Sequence, residues 1–78
     1  MIHELKIAPK FFEKVQDGSK TFEIIKDDRD YKVFDGIHSR EYYEGSYTGK
    51  GEIKRITYIL RDIDEYRLKK GFVLISIK

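Results

Sequence analysis

Gly18-Ser19-Lys20-Thr21-Phe22-Glu23-Ile24-Ile25-Lys26-Asp27-Asp28-Arg29-Asp30-Tyr31 is the stretch on which both the fold and the site turn. Gly18 suits the left-handed residue that ends a helix. Thr21 to Lys26 then alternates as a strand does, with Phe22 and Ile24 on one side and Thr21, Glu23 and Ile25 on the other. Asp27 to Lys32 is too polar for a buried strand and predicts an exposed loop. Lys20, Thr21, Glu23, Lys26, Asp28, Arg29 and Asp30 fall within eleven positions, close enough to reach the mouth of one cleft.

Working back from Gly18, Phe11, Phe12 and Val15 form an apolar stripe at helical spacing, and Pro9 fits the first turn, where its missing N–H costs nothing. A helix over about 9–17 follows. Before it, Ile2 to Ile7 alternates as a strand with His3, Leu5 and Ile7 on one face.

Working forward, Val33 to Glu44 is extended, with Gly36 marking a bulge or turn. The glycine-rich run from Gly45 to Gly51 predicts a hairpin loop. Glu52 to Leu60 places Ile56, Tyr58 and Leu60 on one apolar face, which predicts Tyr58 in the core. Arg61 to Lys70 is a charged connection with room for a helical turn. Phe72 to Ile77 is apolar on both faces, which suits a central strand. The order β-α-β-β-β-β in so short a chain predicts an α+β, mostly β fold: a small barrel of about five strands with one or two short helices, forming one domain over 1–78.

Composition narrows the function classes. The chain has 78 residues, 38% of them charged and 40% hydrophobic, with six Tyr and five Phe. That is enough apolar material for one small core. The absence of cysteine excludes disulfides and thiolate metal sites. No run reaches the roughly 18 apolar residues of a membrane span, and no signal-peptide pattern opens the chain. A soluble cytoplasmic protein without a membrane partner is the expectation. A net charge of +2 is small for a phosphate-backbone binder, so any such role requires local positive charge. His3 and His38 lack neighbours at metal-ligand spacing, and Asp28-Arg29-Asp30 lacks a calcium-loop pattern. No metal and no cofactor is expected. Between its two aspartates, Arg29 reads as part of a network that stiffens the loop.

Several blocks in order resemble a known family. His3-Glu4-Leu5-Lys6-Ile7, Gly18-x-Lys20-Thr21-Phe22-Glu23-Ile24, Asp27-Asp28-Arg29-Asp30-Tyr31, Arg40-Glu41-Tyr42, Tyr47-Thr48-Gly49, Ile56-Thr57-Tyr58-Ile59-Leu60 and Gly71-Phe72-Val73-Leu74 are similar to the ASCH branch of the PUA-like superfamily. Within it, they resemble a small bacterial and phage group of uncharacterised domains. The resemblance implies a PUA-type β-barrel associated with RNA binding, and a cleft lined by Gly18, Lys20 and Glu23. Relatives often carry Arg where Ile25 stands and Gly where Phe34 stands, so Lys26 or Arg29 would supply the missing cation.

These readings combine into one expectation. RNA, or a modified nucleoside or nucleotide, binds a cleft built by Lys20, Thr21, Glu23, Lys26 and Arg29, and Arg40, Tyr42, Tyr47 and Lys54 extend the surface. Glu23 accepts from a base edge, the cations meet phosphate and Tyr47 stacks. The alternative is a small amidohydrolase that deacylates a nucleoside such as acetylcytidine, a reaction found in one ASCH subfamily. Lys20 matches that subfamily's lysine, but Glu23 stands where it has threonine, and no distal glutamate can be placed. No residue is assigned as catalytic beyond Lys20 and Glu23 under that alternative. A third class is a phage-type adaptor that binds a protein partner through its tyrosine-rich segment. Surface ion pairing is the plain alternative for Lys20 and Glu23, and core packing for the tyrosines.

Overall fold

The computed structural model describes residues 1–61 and 70–78. The elements are β1 (Ile2–Ile7), α1 (Pro9–Gln16), β2 (Phe22–Lys26), β3 (Gly36–Tyr43), β4 (Ser46–Leu60) and β5 (Phe72–Ile77). They form one five-stranded sheet in the order β1-β3-β4-β5-β2. β1 runs parallel to β3 and every other pair is antiparallel. β4 spans both halves of the sheet, pairing first with β3 and then with β5.

Period-two alternation sets the inner face. β1 buries His3 and Ile7, β3 buries Ile37, Ser39 and Glu41, and β5 buries Val73, Ile75 and Ile77. α1 starts at Pro9 and lays Phe12 and Val15 on this face. Phe11, expected in the same stripe, is 46% exposed. Gly18 leaves the helix at φ +85°, where a side chain would be strained. Asp17 accepts bonds from the Ser19 hydroxyl and amide, which together hold its carboxyl below the ordinary range.

The sheet corrects the barrel expectation, because it does not close. A closed barrel needs a backbone ladder between its first and last strands. Here β1 and β2 remain the two edges, and side chains of both strands, with Ala8 and Phe11 of the intervening segment, line a cleft instead of a ladder.

Three local readings also change. The hairpin loop is not Gly45–Gly51 but the two residues Glu44 and Gly45, at φ +47° and +86°, between the paired Tyr43 and Ser46. Two successive positive φ values make a tight turn that matches strand twist, so Ser46–Gly51 is free to be strand. A bulge absorbs its surplus glycine: Arg40 pairs Gly51 and Tyr42 pairs Tyr47, which leaves Thr48, Gly49 and Lys50 opposite Glu41. Tyr58 is not core but 59% exposed. The irregularity between Ile56 and Tyr58 reverses the alternation, so Ile59 pairs Ile75 on the inner face and Tyr58 turns outward. Finally, the polar 27–32 loop buries Tyr31 to 2%, among the core of Val15, Ile37, Ile56, Val73, Ile75 and Ile77. Burial raises the Tyr31 phenol above its usual range. The expected helical turn within 61–70 falls largely outside the described residues.

Candidate functional site

Where the two sheet edges face each other lies a cleft of about 490 Å³. β2 alternation turns Glu23 inward, and the exit from α1 delivers Lys20 just ahead of it. Lys20 Nζ donates to Glu23 Oε1 at 2.7 Å, with side-chain exposures of 18% and 8%. The ammonium also lies 5.2 Å from the Phe22 ring centre and 5.6 Å from that of Phe11. Leu5, Ile7, Ile24 and Ile25 supply the apolar walls. A charged pair within apolar walls can orient a flat polar ligand: the carboxylate accepts, and the ammonium has donors beyond the one Glu23 takes.

Lys6 also lines the cleft, and its Nζ sits 4.7 Å from the ring centre of Tyr42 on the outer face of the sheet. Tyr42 meets Tyr47 edge-on with centroids 5.2 Å apart, and the Arg40 guanidinium lies 3.7 Å over Tyr47. The bulge produces this grouping by setting Tyr47 directly across from Tyr42. Glu4 of β1 accepts from Arg40 at 3.1 Å. Cleft and aromatic cluster therefore meet through one lysine.

A family model described as a domain of unknown function, DUF3850, matches residues 2–77. The chain belongs to the DUF3850 family. An uncharacterised 12.9 kDa protein in the GpA 3′ region of Escherichia phage P2 is 39% identical over 56 residues, 72% of this chain and 51% of the phage protein. The chain thus spans about half the length of that relative.

In this DUF3850 domain the predicted residues divide. Lys20 and Glu23 share the cleft, and Arg40, Tyr42 and Tyr47 share the outer face. Thr21 is exposed, and its carbonyl accepts from Ile77 N at 2.9 Å. Lys26 is exposed at the end of β2 and is not among the residues lining the cleft. Arg29 donates to the Glu4 carbonyl at 2.8 Å, which bolts its loop to β1. No ion pair joins it to Asp28 or Asp30 among the described residues, so the expected network is replaced by that single bond. Lys54 pairs across from buried Ile37 and so points to the opposite side of the sheet from Arg40. It lines a smaller hollow of about 230 Å³ with Lys20 and Thr21. Among the described residues no group of three or more metal-ligating side chains gathers.

Sequence reasoning missed Lys6, Phe11 and Phe22 as cleft residues and Asp35 as the partner of His3. Lys6 carried one usable signal, its outward parity in β1 beside Arg40 of β3. His3 Nε2 and Asp35 Oδ2 lie 2.8 Å apart. Asp35 is held below the ordinary carboxylate range, first by this bond and then by the N-terminal ammonium and the Lys32 amide, against the opposing effect of burial.

Proposed function

We propose that this DUF3850 domain binds RNA through a single nucleoside or nucleotide seated in the cleft between β1 and β2. The observation that carries the reading is the Lys20–Glu23 pair, 2.7 Å long and mostly buried among apolar side chains, at a place open to a ligand. A base fits the apolar walls, Glu23 accepts from its exocyclic or ring N–H, and Lys20 and Lys6 meet the phosphate. Arg40 and Tyr47 offer a plane for a neighbouring base. The sequence likeness to the ASCH branch supports the same reading by analogy of fold and motif.

The test is titration of isotope-labelled protein with cytidine, acetylcytidine and a short single-stranded RNA, followed through amide shifts. Shifts concentrated at Lys6, Lys20 and Glu23 are the expected outcome. Release of acetate from acetylcytidine would move the reading to the amidohydrolase. Unchanged spectra with all three ligands would overturn nucleic-acid recognition and favour a protein partner.

A further inference from the structure

Phe34 is poorly explained by folding alone. It sits at φ +80°, a backbone region that bulky side chains rarely occupy, and its side chain is 74% exposed. Its amide donates to the Ile56 carbonyl at 2.8 Å, which holds the turn in place. Backbone strain of this kind persists only where the surrounding structure holds it, and it clusters at binding sites and ligand clamps. Beside Phe34 is a hollow of about 700 Å³, lined also by Ile2, Ile53, Lys54 and Arg55.

The strand register shows that this hollow and the Tyr42–Tyr47 cluster lie on one face. Reading across β1, β3 and β4, successive outward rows are Ile2-Gly36-Arg55, Glu4-His38-Ile53 and Lys6-Arg40-Gly51, with Tyr42-Tyr47 beyond them. From Gly36 to Tyr42 the distance is about 20 Å at roughly 3.3 Å per residue. In the middle of the face the His38 imidazole lies over Gly51, where a Cβ would meet its Nε2 at 2.7 Å. Among the described residues the one helix packs on the other side, through Phe12 and Val15. Its charge is one-sided: Lys6, Arg40 and Arg55 are cations, and Glu4, the one carboxylate in these rows, is taken by Arg40.

We infer that this outer face binds a single-stranded RNA several nucleotides long, running from Arg40, Tyr42 and Tyr47 to Phe34 and Arg55, with a base stacked on Phe34. The inference rests on the nucleotide reading of the cleft and extends it from one nucleotide to a strand. Phosphates meet the cations, and exposed rings at both ends meet unpaired bases, which a duplex keeps hidden. Two linked contacts about 20 Å apart make affinity rise with length once the strand reaches both.

The probes are octauridylate and cytidine monophosphate, titrated calorimetrically against the full chain and its Phe34→Gly, Phe34→Asn and Arg55→Ala variants. Octauridylate should bind at least about thirtyfold more tightly than the mononucleotide. Both Phe34 variants should lose about tenfold for octauridylate and nothing for the mononucleotide. Their Tm should hold or rise, because Gly and Asn tolerate positive φ. Arg55→Ala should lower the slope of log affinity against log salt by about one.

Full octauridylate affinity in Phe34→Gly, octauridylate binding no tighter than the mononucleotide, or no octauridylate binding would each overturn the inference. So would a fall in Tm for both Phe34 variants, which would make the ring structural. Octauridylate binding that is sensitive to Phe34 while the mononucleotide fails to bind would overturn the cleft reading and uphold the outer face.

Discussion

The two edge strands each carry one buried polar residue in a short polar contact, and the two contacts sit in different surroundings. On β1, His3 meets Asp35 at 2.8 Å with side-chain exposures of 4% and 14%. On β2, Glu23 meets Lys20 at 2.7 Å with exposures of 8% and 18%. By length and burial they are nearly alike. The difference is what surrounds them. The ring of His3 packs at 4.6 Å, tilted by 56°, against Tyr31, one of the largest side chains in the core. Lys20 and Glu23 instead line an open cleft with Phe11 and Phe22. Burial and a short contact therefore do not single out a site by themselves; the opening beside Lys20 and Glu23 is what makes that pair the candidate.

The largest expected effect lies on the β1 side. Tyr31→Ala removes a nearly buried ring beside His3 and should cost about 3–5 kcal/mol in denaturant unfolding. A loss under 1 kcal/mol would break the claim that this side is structural. On the β2 side, Glu23→Ala strands a mostly buried ammonium and should cost about 2–3 kcal/mol. The double change Lys20→Met with Glu23→Leu should return stability to within about 1.5 kcal/mol of the parent. It should nevertheless abolish nucleotide binding, measured by calorimetry. Retained binding in that variant would remove the functional distinction between the two pairs.

Acid titration sharpens the comparison with a smaller effect. The bond from His3 keeps the folded pKa of Asp35 below its ordinary value of 3.8. Its contribution is therefore complete above the unfolded pKa and is lost as pH falls through the folded one. Asp35→Asn should flatten that part of the acid limb when urea midpoints are followed downward from about pH 5. An unchanged limb would contradict the role given to this pair. The smallest effect belongs to Lys6→Ala, which removes a cation over Tyr42 and should weaken nucleotide affinity about two- to fivefold without moving Tm.

Much of the fold was legible because period-two and helical alternation are local signals. β1, α1, β2 and β5 follow directly from where His3, Phe12, Glu23 and Val73 fall in their patterns. The errors cluster at positive-φ turns and bulges. Glu44 takes a left-handed turn position that its residue type does not announce, and the irregularity beside Thr57 turns Tyr58 outward. A one-residue insertion inverts every side chain beyond it, and nothing in the local pattern records it. The candidate site was legible in part. Lys20 and Glu23 lie three positions apart, so local geometry brought them together, whereas Lys6, Phe11 and Phe22 joined them only through the approach of β1 and β2.

The sequence by itself determined β1, α1, β2 and β5 and set Thr21, Glu23 and Ile25 on one side of β2, since each depends on neighbours along the chain. Tertiary structure alone decided that the sheet stays open, that Arg29 is spent on the Glu4 carbonyl, and that Arg40, Tyr42 and Tyr47 gather on one face of the sheet. Those outcomes depend on strand order and register, which couple residues more than thirty positions apart, such as His3 and Asp35. Packing of the whole inner face selects among such registers, and no local stretch contains that information.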